Sequence, residues 1–347
     1  MDFTSALYLG LRHAHGELAA WRALTLGKPA ALAATMANRQ LARQLAVLTG
    51  NESAVLAPST LHLFWDIFAH LASRRKVVFF ADSGLYPIAR WGLERVETRF
   101  FPHHDPMALR KALARGRGKP IVVTDGFCPA CGRMAPLDEY AAIVRRLGGS
   151  LIVDDTQALG VLGPQGGGSC RAHRIAGEDI MQISSLAKGF GAPLAVLGGG
   201  RGMVTRFREE SLTQVHCSPP SEAAVAAGLR ALTINAAGGD TLRWQLGQSV
   251  RLFRRLARAG GIRLTGGLFP VQSAVNANAE GTHGLLLRQG IQTVLHRPKS
   301  KGSPCLSFLI TAAHREWEIQ EAASALAAAV AETEKGRQSN VELAIHF

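Results

Sequence analysis

At 347 residues, 47% of them hydrophobic, and with a formal net charge of +13, the chain is too long for one small core and implies a large domain with a second, smaller one. No apolar run approaches the roughly 18 to 20 residues that cross a bilayer, and the opening "MDFTSALYLGLRHAHG" lacks the charged head and long apolar middle of a signal peptide, so a cytoplasmic protein with no membrane partner is expected. The basic stretches "SRRKVV", "RKALARGRGK", "RLFRRLARAGGIR" and "HRPKSKG" are scattered and carry no interleaved aromatics, which argues against nucleic acid and leaves solvated helix faces or attraction of phosphate-bearing small molecules.

In chain order, the predicted strands are Ser53 to Ala57, Lys76 to Ala81, Val96 to Phe101, Pro120 to Thr124, Ser150 to Asp154, Ile180 to Ser185 and Leu194 to Gly199. Their apolarity is continuous rather than alternating, which implies burial on both faces, as in a mainly parallel sheet. Between them "TLHLFWDIFAHLAS", "DPMALRKALARG" and "PLDEYAAIVRRLGG" show helical spacing. Strand and helix in alternation give an α/β fold. After about Ala237 the pattern changes: "GGDTLRWQLGQSVRLFRRLARAGG" reads as a long helix, "IRLT", "FPVQSAVNA", "GIQTVLHR" and "CLSFLIT" as short strands, and "HREWEIQEAASALAAAVAETEKG" as a closing helix. That is a smaller α+β domain at the C-terminus, so a large domain over 46–237 and a small one over 238–347 are expected.

Five cysteines, Cys128, Cys131, Cys170, Cys217 and Cys305, form no disulfide framework, and reduced thiols are expected. Cys128 and Cys131 make a C-x-x-C, but no second ligand pair stands at zinc spacing, so no metal is expected.

In open α/β sheets, ligands sit beyond the carboxyl ends of the strands. Asp154 ends "SLIVD" and Lys188 follows "IMQISSLA", so both project toward that edge. A lysine that forms a Schiff base and a carboxylate that keeps a pyridinium nitrogen protonated are the two protein groups needed to run pyridoxal 5'-phosphate (PLP) as an electron sink. The phosphate needs donors as well. "PSTL" ends the first strand and opens a helix, whose free N–H groups and positive dipole end favour an anion, and Ser184 and Ser185 offer hydroxyls from the same edge.

With these residues in view the sequence resembles the α-oxoamine synthase branch of the fold-type I PLP-dependent enzymes, most of all the 8-amino-7-oxononanoate synthases. The likeness runs nearly end to end: through "DFTSALYLGL", "FPHHDPMAL", "VTDGFCPACGRMAPLDEY", "VDDTQALGVLGPQGGGSC", "SSLAKGFGAPLAVLGG", "HCSPP" and "LITAAHREWEI". It implies a fold-type I transferase with a mainly parallel seven-stranded sheet, and an N-terminal segment, 1–45, packed on the C-terminal domain. Catalysis is carried by Lys188 and Asp154. The cofactor site comprises those two with Gln157, Tyr86, Ser59, Thr60, Leu61, Ser185 and Asp125. The implied reaction condenses an amino acid, or a related amine, with an acyl-CoA or acyl-carrier thioester. The implied assembly is a homodimer in which "HCSPP" approaches the neighbouring subunit's phosphate.

Several positions depart from the family pattern. Tyr86 replaces the histidine that stacks on the cofactor ring and still presents a π-face. Gln157 replaces a histidine, Pro129 a serine and Ala6 an asparagine, and a glycine-rich stretch has become "GKPAALAA". The arginine that grips the amino-acid carboxylate aligns with Ser307, leaving Arg297 of "HRPKSKG" as a substitute. Transamination of a non-standard amine and a non-catalytic partner subunit are therefore the alternative readings.

Overall fold

The computed structural model describes residues 1–32, 34–73, 77–114, 118–275, 278–297 and 304–345, with backbone alone for 336–345. The chain divides into two compact units, one of Leu11–Cys128 with Met134–Asp240, the other of Met1–Gly10, Pro129–Arg133 and Thr241–Phe347.

Strands β1 (Ser53–Ala57), β2 (Val77–Asp82), β3 (Thr98–Phe101), β4 (Lys119–Asp125), β5 (Phe127–Cys128), β7 (Ser150–Asp154), β8 (Ile180–Ser185) and β9 (Ala195–Gly199) belong to the larger unit, and β6 (Arg133–Met134) has one residue in each unit. Seven of these form one sheet in the order β1-β9-β8-β7-β4-β2-β3. All pairings from β3 to β8 are parallel, while β9 runs antiparallel to both β8 and β1. The mainly parallel seven-stranded sheet is thus present, with β1, β7 and β8 at their expected bounds. The N-terminal residue of the expected second strand, Lys76, lies outside the described residues.

Continuous apolarity in the strands serves two layers. Phe79, Val123, Ile152 and Ile183 point into one cluster with Phe64, Ile67 and Phe68, whereas Phe80, Val122, Leu151 and Val153 point into the other with Leu109, Tyr140 and Val144. Successive strand residues face opposite sides, so helices on both faces make every position apolar. Those helices are α1 (Met36–Thr49), α2 (Thr60–Ala72), α3 (Pro87–Leu93), α4 (Pro106–Leu113), α5 (Leu137–Arg146), α6 (Ser169–Ala172), α7 (Arg201–Glu210) and α8 (Leu212–His216). Local chemistry sets their ends. The Asp105 carboxylate accepts from Ala108 N–H at 2.9 Å with Pro106 at the first position of α4, and α5 has Asp138 and Glu139 in its first turn and Arg145 and Arg146 in its last, matching the macrodipole.

Helix α9 (Glu222–Ala259) contributes to both units. It begins 16 residues before "GGDTLRW", because Gly238 and Gly239, which the sequence reading takes as a boundary, lie inside it: a pair of glycines costs about 2 kcal/mol of propensity, which a long helix with packed flanks absorbs. In the smaller unit, β10 (Leu264–Thr265), β11 (Val271–Ala274), β12 (Val294–His296) and β13 (Cys305–Leu309) form an antiparallel sheet in the order β10-β11-β13-β12. Helices α10 (Ala279–Arg288) and α11 (Glu316–Ile345) complete it. Residues 1–10 belong here: Asp2 bridges Gln292, and the Phe3 ring meets Phe308 at 5.5 Å. Among the described residues, no helix is long and apolar enough to cross a membrane, and the five cysteines are unbridged.

Candidate active site

Three strands of the large sheet end on an aspartate at the same, carboxyl edge: β2 on Asp82, β4 on Asp125 and β7 on Asp154, with Asp125 and Asp154 in direct register. Each carboxylate has a different task. Asp82 is fully buried and accepts from Gly84 N–H at 2.7 Å, from the His103 ring at 2.7 Å and from His104 N–H at 3.0 Å. It ties down the loop that leads to Tyr86. Asp125 accepts from the Tyr86 N–H at 3.3 Å and fixes the far end of that loop. Asp154, only 7% exposed, accepts from Thr156 N–H at 3.1 Å.

Lys188 reaches this edge on the turn after β8. The turn packs against the loop after β7 at Gly189 and Gly160. A Cβ on Gly189 would lie 2.3 Å from the Leu159 carbonyl oxygen, so no larger residue fits beside the lysine without moving backbone. The Lys188 Nζ lies 5.6 Å from the centroid of the Tyr86 ring. Burial lowers the Lys188 pKa, against the opposing pull of Asp154 and then Asp125. Burial raises Asp154, opposed by hydrogen bonds from Thr156 and by Lys188. Asp125 is raised well above the carboxylate range by burial and then by the neighbouring Asp154. The trio therefore favours an amine with more neutral character than a surface lysine and carboxyls that hold protons unusually well.

Thr156 is a residue the sequence reading passed over. Its side chain hydrogen-bonds Asp154 and accepts from Ser185 N–H at 3.0 Å. One hydroxyl thus links the ends of β7 and β8 and fixes the Asp154 carboxylate. Ser185 Oγ accepts from Ala187 N–H at 3.2 Å in the turn before the lysine. Ser184, by contrast, points inward from β8, fully buried, and its hydroxyl has no hydrogen-bond partner. Because adjacent strand residues alternate faces, Ser184 and Ser185 cannot both serve the edge. Gln157 is half-buried just beyond Thr156.

Ser59 caps α2 in an extended conformation, and its hydroxyl pairs with His62 Nδ1 at 2.8 Å rather than with the helix backbone. The first N–H groups of α2, from Thr60 and Leu61 onward, have no partner within the helix, and they stand at the carboxyl end of β1. Ser307 and Arg297 both lie in the smaller unit. Ser307 is buried in β13, its hydroxyl 2.7 Å from that of Ser273 on β11. Arg297 is exposed and ion-paired with Glu280 at 2.8 Å.

Asp155, next to Asp154, is structural. It is fully buried and accepts from Ser169 N–H at 2.8 Å, from the Ser169 hydroxyl and from Gln182 Nε2 at 2.7 Å. Burial pushes its pKa up to about 7, against those donors. The unfolded chain ionises this group near 3.8, so between these values the folded state holds a proton that the unfolded state has released. The associated stability is full below that window and is lost as pH rises through it. Asp155→Asn is expected to gain on the wild type by up to a few kcal/mol between about pH 4 and about pH 8. Unfolding midpoints of both proteins across that range check this, and a gap independent of pH would exclude a titrating Asp155.

A lysine of lowered pKa, a buried carboxylate held by a neighbouring hydroxyl and an aromatic face beside the amine suit a carbonyl-bearing pyridine cofactor. The family model for aminotransferase class I and II matches residues 28–326. The chain belongs to that family. Its cofactor is PLP and it is a transferase. Among curated relatives, an 8-amino-7-oxononanoate synthase of Halorhodospira halophila is 31% identical over 304 residues, covering 84% of this chain and 74% of that protein. Among solved structures, an 8-amino-7-oxononanoate synthase from Francisella tularensis matches with a TM-score of 0.77 at 22% identity, over 96% of this chain and 98% of that one. A lysine-to-alanine variant of a serine palmitoyltransferase from S. paucimobilis, with a PLP–myriocin aldimine bound, matches with a TM-score of 0.84 at 19% identity, over 98% of this chain and 88% of that one. The α-oxoamine synthase likeness and the fold-type I architecture are thus present in this family member.

Proposed function

We propose that the protein is a cytoplasmic, homodimeric acyltransferase that condenses an amino acid with an acyl-CoA or acyl-carrier thioester, releasing carbon dioxide and the free thiol, or a related amine with release of the thiol alone. The observation that carries this reading is the conjunction of the Lys188, Asp154 and Asp125 trio with relatives named 8-amino-7-oxononanoate synthase over most of the chain. When bound, PLP supplies an electron sink for negative charge developing at the amino-acid α-carbon.

The residues divide the remaining work. Lys188 would hold the cofactor through Nζ and would carry protons, for which a lowered pKa suits it at neutral pH. Asp154, oriented by Thr156, would keep the ring nitrogen protonated. Asp125 fixes the Tyr86 backbone and, with its carboxyl raised by burial, offers an O–H beside it. Tyr86 presents its ring face, Gln157 a neutral hydrogen-bonding group, and Ser59, Thr60, Leu61 and Ser185 the anion-binding end. Ser307 and Arg297 are the candidates for the substrate carboxylate.

A second reading, transamination of an amine without an α-carboxylate, rests on Ser307, which puts an uncharged group where the related synthases have a guanidinium. A non-catalytic partner role is disfavoured by the retention of Lys188. Amino acids and amines without an α-carboxylate, each offered with an acyl-CoA and a keto acid as amine acceptor while free thiol and carbon dioxide are followed, separate the readings. Stoichiometric release of both is expected with amino acids. Amine transfer to a keto acid without thiol release would overturn the condensation in favour of transamination.

A further inference from the structure

Within the larger unit, the chain ahead of the sheet reaches the lysine turn through one side chain. His13 Nε2 lies 2.8 Å from the Phe190 carbonyl oxygen, two residues after Lys188. Phe190 is fully buried and its own N–H bonds the Leu186 carbonyl at 3.2 Å, so Lys188 sits inside a single turn whose later end His13 holds. Gly189 and Gly191 flank Phe190, the second at φ +64°. Glycine on both sides leaves the Phe190 peptide group several accessible orientations, and a donor on its carbonyl selects one of them.

The donor is itself fixed. His13 Nδ1 lies 3.3 Å from Arg230 Nη1 on α9. A guanidinium only donates, so Nδ1 accepts and the ring proton stays on Nε2, facing the carbonyl. Arg230 is ion-paired with Glu17 at 2.9 Å, and Glu17 accepts from Ala14 N–H at 3.4 Å, beside His13 in the same segment. Further along α9, Asn235 Nδ2 donates to the Gln165 carbonyl at 3.0 Å in the loop after β7. Helix α9 therefore braces both loops that meet at Gly160 and Gly189, the lysine turn through His13. A buried carbonyl needs only a donor, which any amide or a water supplies. Here Glu17, Arg230 and His13 are aligned so that one named ring nitrogen carries the proton, and the line ends two residues from Lys188.

We propose that His13 is a positioning residue for Lys188: its Nε2–H, kept on that nitrogen by Arg230, fixes the Phe190 peptide and thereby the direction in which the lysine side chain leaves the turn. The proposal rests on the reading of Lys188 as the residue that holds PLP. It does not depend on which reaction follows.

The test follows cofactor attachment rather than turnover. PLP is added to cofactor-free protein and growth of the visible band of lysine-bound cofactor is timed; Nζ takes the aldehyde carbon and one water leaves, with no co-reactant. His13→Phe is expected to slow attachment by about 10- to 100-fold, as for a reacting group displaced by about 1 Å. His13→Gln, whose amide N–H reaches where Nε2 stood, is expected to restore the rate to within about threefold of wild type. Arg230→Met is expected to slow attachment by about 10-fold with His13 present, because the ring proton is then free to move to Nδ1, and by less than about twofold in the His13→Gln background, where the amide has no tautomer to lose. Equal rates for wild type and His13→Phe, or an equal cost of Arg230→Met in both backgrounds, would overturn the proposal. The second comparison decides the matter even where His13→Phe does not fold. A wild type that gains no band with PLP would overturn the reading of Lys188 and the proposal with it, whereas a band in the wild type that the variants acquire equally fast overturns the proposal alone.

Discussion

Lys188→Ala is expected to give a folded protein that is colourless after dialysis, has no visible absorbance band from lysine-bound cofactor, and is catalytically dead in practical terms. The loss of proton transfer alone costs about 10²- to 10⁴-fold, and loss of the covalent anchor adds to it. The structural reason lies in the burial of the amine. Its lowered pKa leaves a larger neutral fraction at neutral pH than a surface lysine has, and only the neutral amine attacks a carbonyl. Added small amines should restore part of the turnover by serving as diffusible bases. A yellow Lys188→Ala protein with wild-type turnover would remove Lys188 from the site altogether.

Asp154→Asn is expected to separate activity from stability. The amide retains an acceptor for the Thr156 N–H but carries no charge to hold the ring nitrogen protonated, so turnover should fall by about 10²- to 10⁴-fold while cofactor remains bound. The cofactor-free variant should be as stable as wild type at neutral pH, or more so. Burial raises the Asp154 pKa, so this group's stability is lost as pH rises through the folded value, and the amide avoids that loss. Turnover assays and unfolding midpoints on the same preparations read both quantities. A large drop in the cofactor-free midpoint with turnover preserved would make Asp154 a structural residue instead.

The large sheet was legible because burial on both faces writes itself as unbroken apolar runs, and "SAVLA", "SLIVD" and "IMQISS" coincide with β1, β7 and β8. The expected third strand starts two residues early, since Val96 N–H bonds the Leu93 carbonyl in a turn before β3 begins at Thr98. Glycine misled the reading twice in the second half. It hid the first 16 residues of α9, and it hid α10, whose "AEGTHGLLLR" contains two glycines yet is capped by Asn278 accepting from Gly281 N–H. In the site, charged residues at strand ends announced themselves. Thr156 did not, because a threonine after two aspartates reads as an ordinary turn residue until the ends of β7 and β8 are brought side by side. The engagement of the Ser307 hydroxyl by Ser273 was equally invisible, since it depends on cross-strand register between β11 and β13.

The reversed strand β9 has a consequence for how the molecule is made. β1 has a single neighbour in the sheet, and that neighbour is β9: Ser53 pairs with Gly199 and Ala57 with Ala195. The strand synthesised first therefore waits for the one synthesised last, and the intervening chain must close a long loop before the pairing is rewarded. During synthesis α2 can already pack Phe68 on Phe79 of β2, but β1 is an apolar strand without a pairing partner until β9 emerges, and such an unpaired segment is the part of the nascent chain most exposed to misassociation.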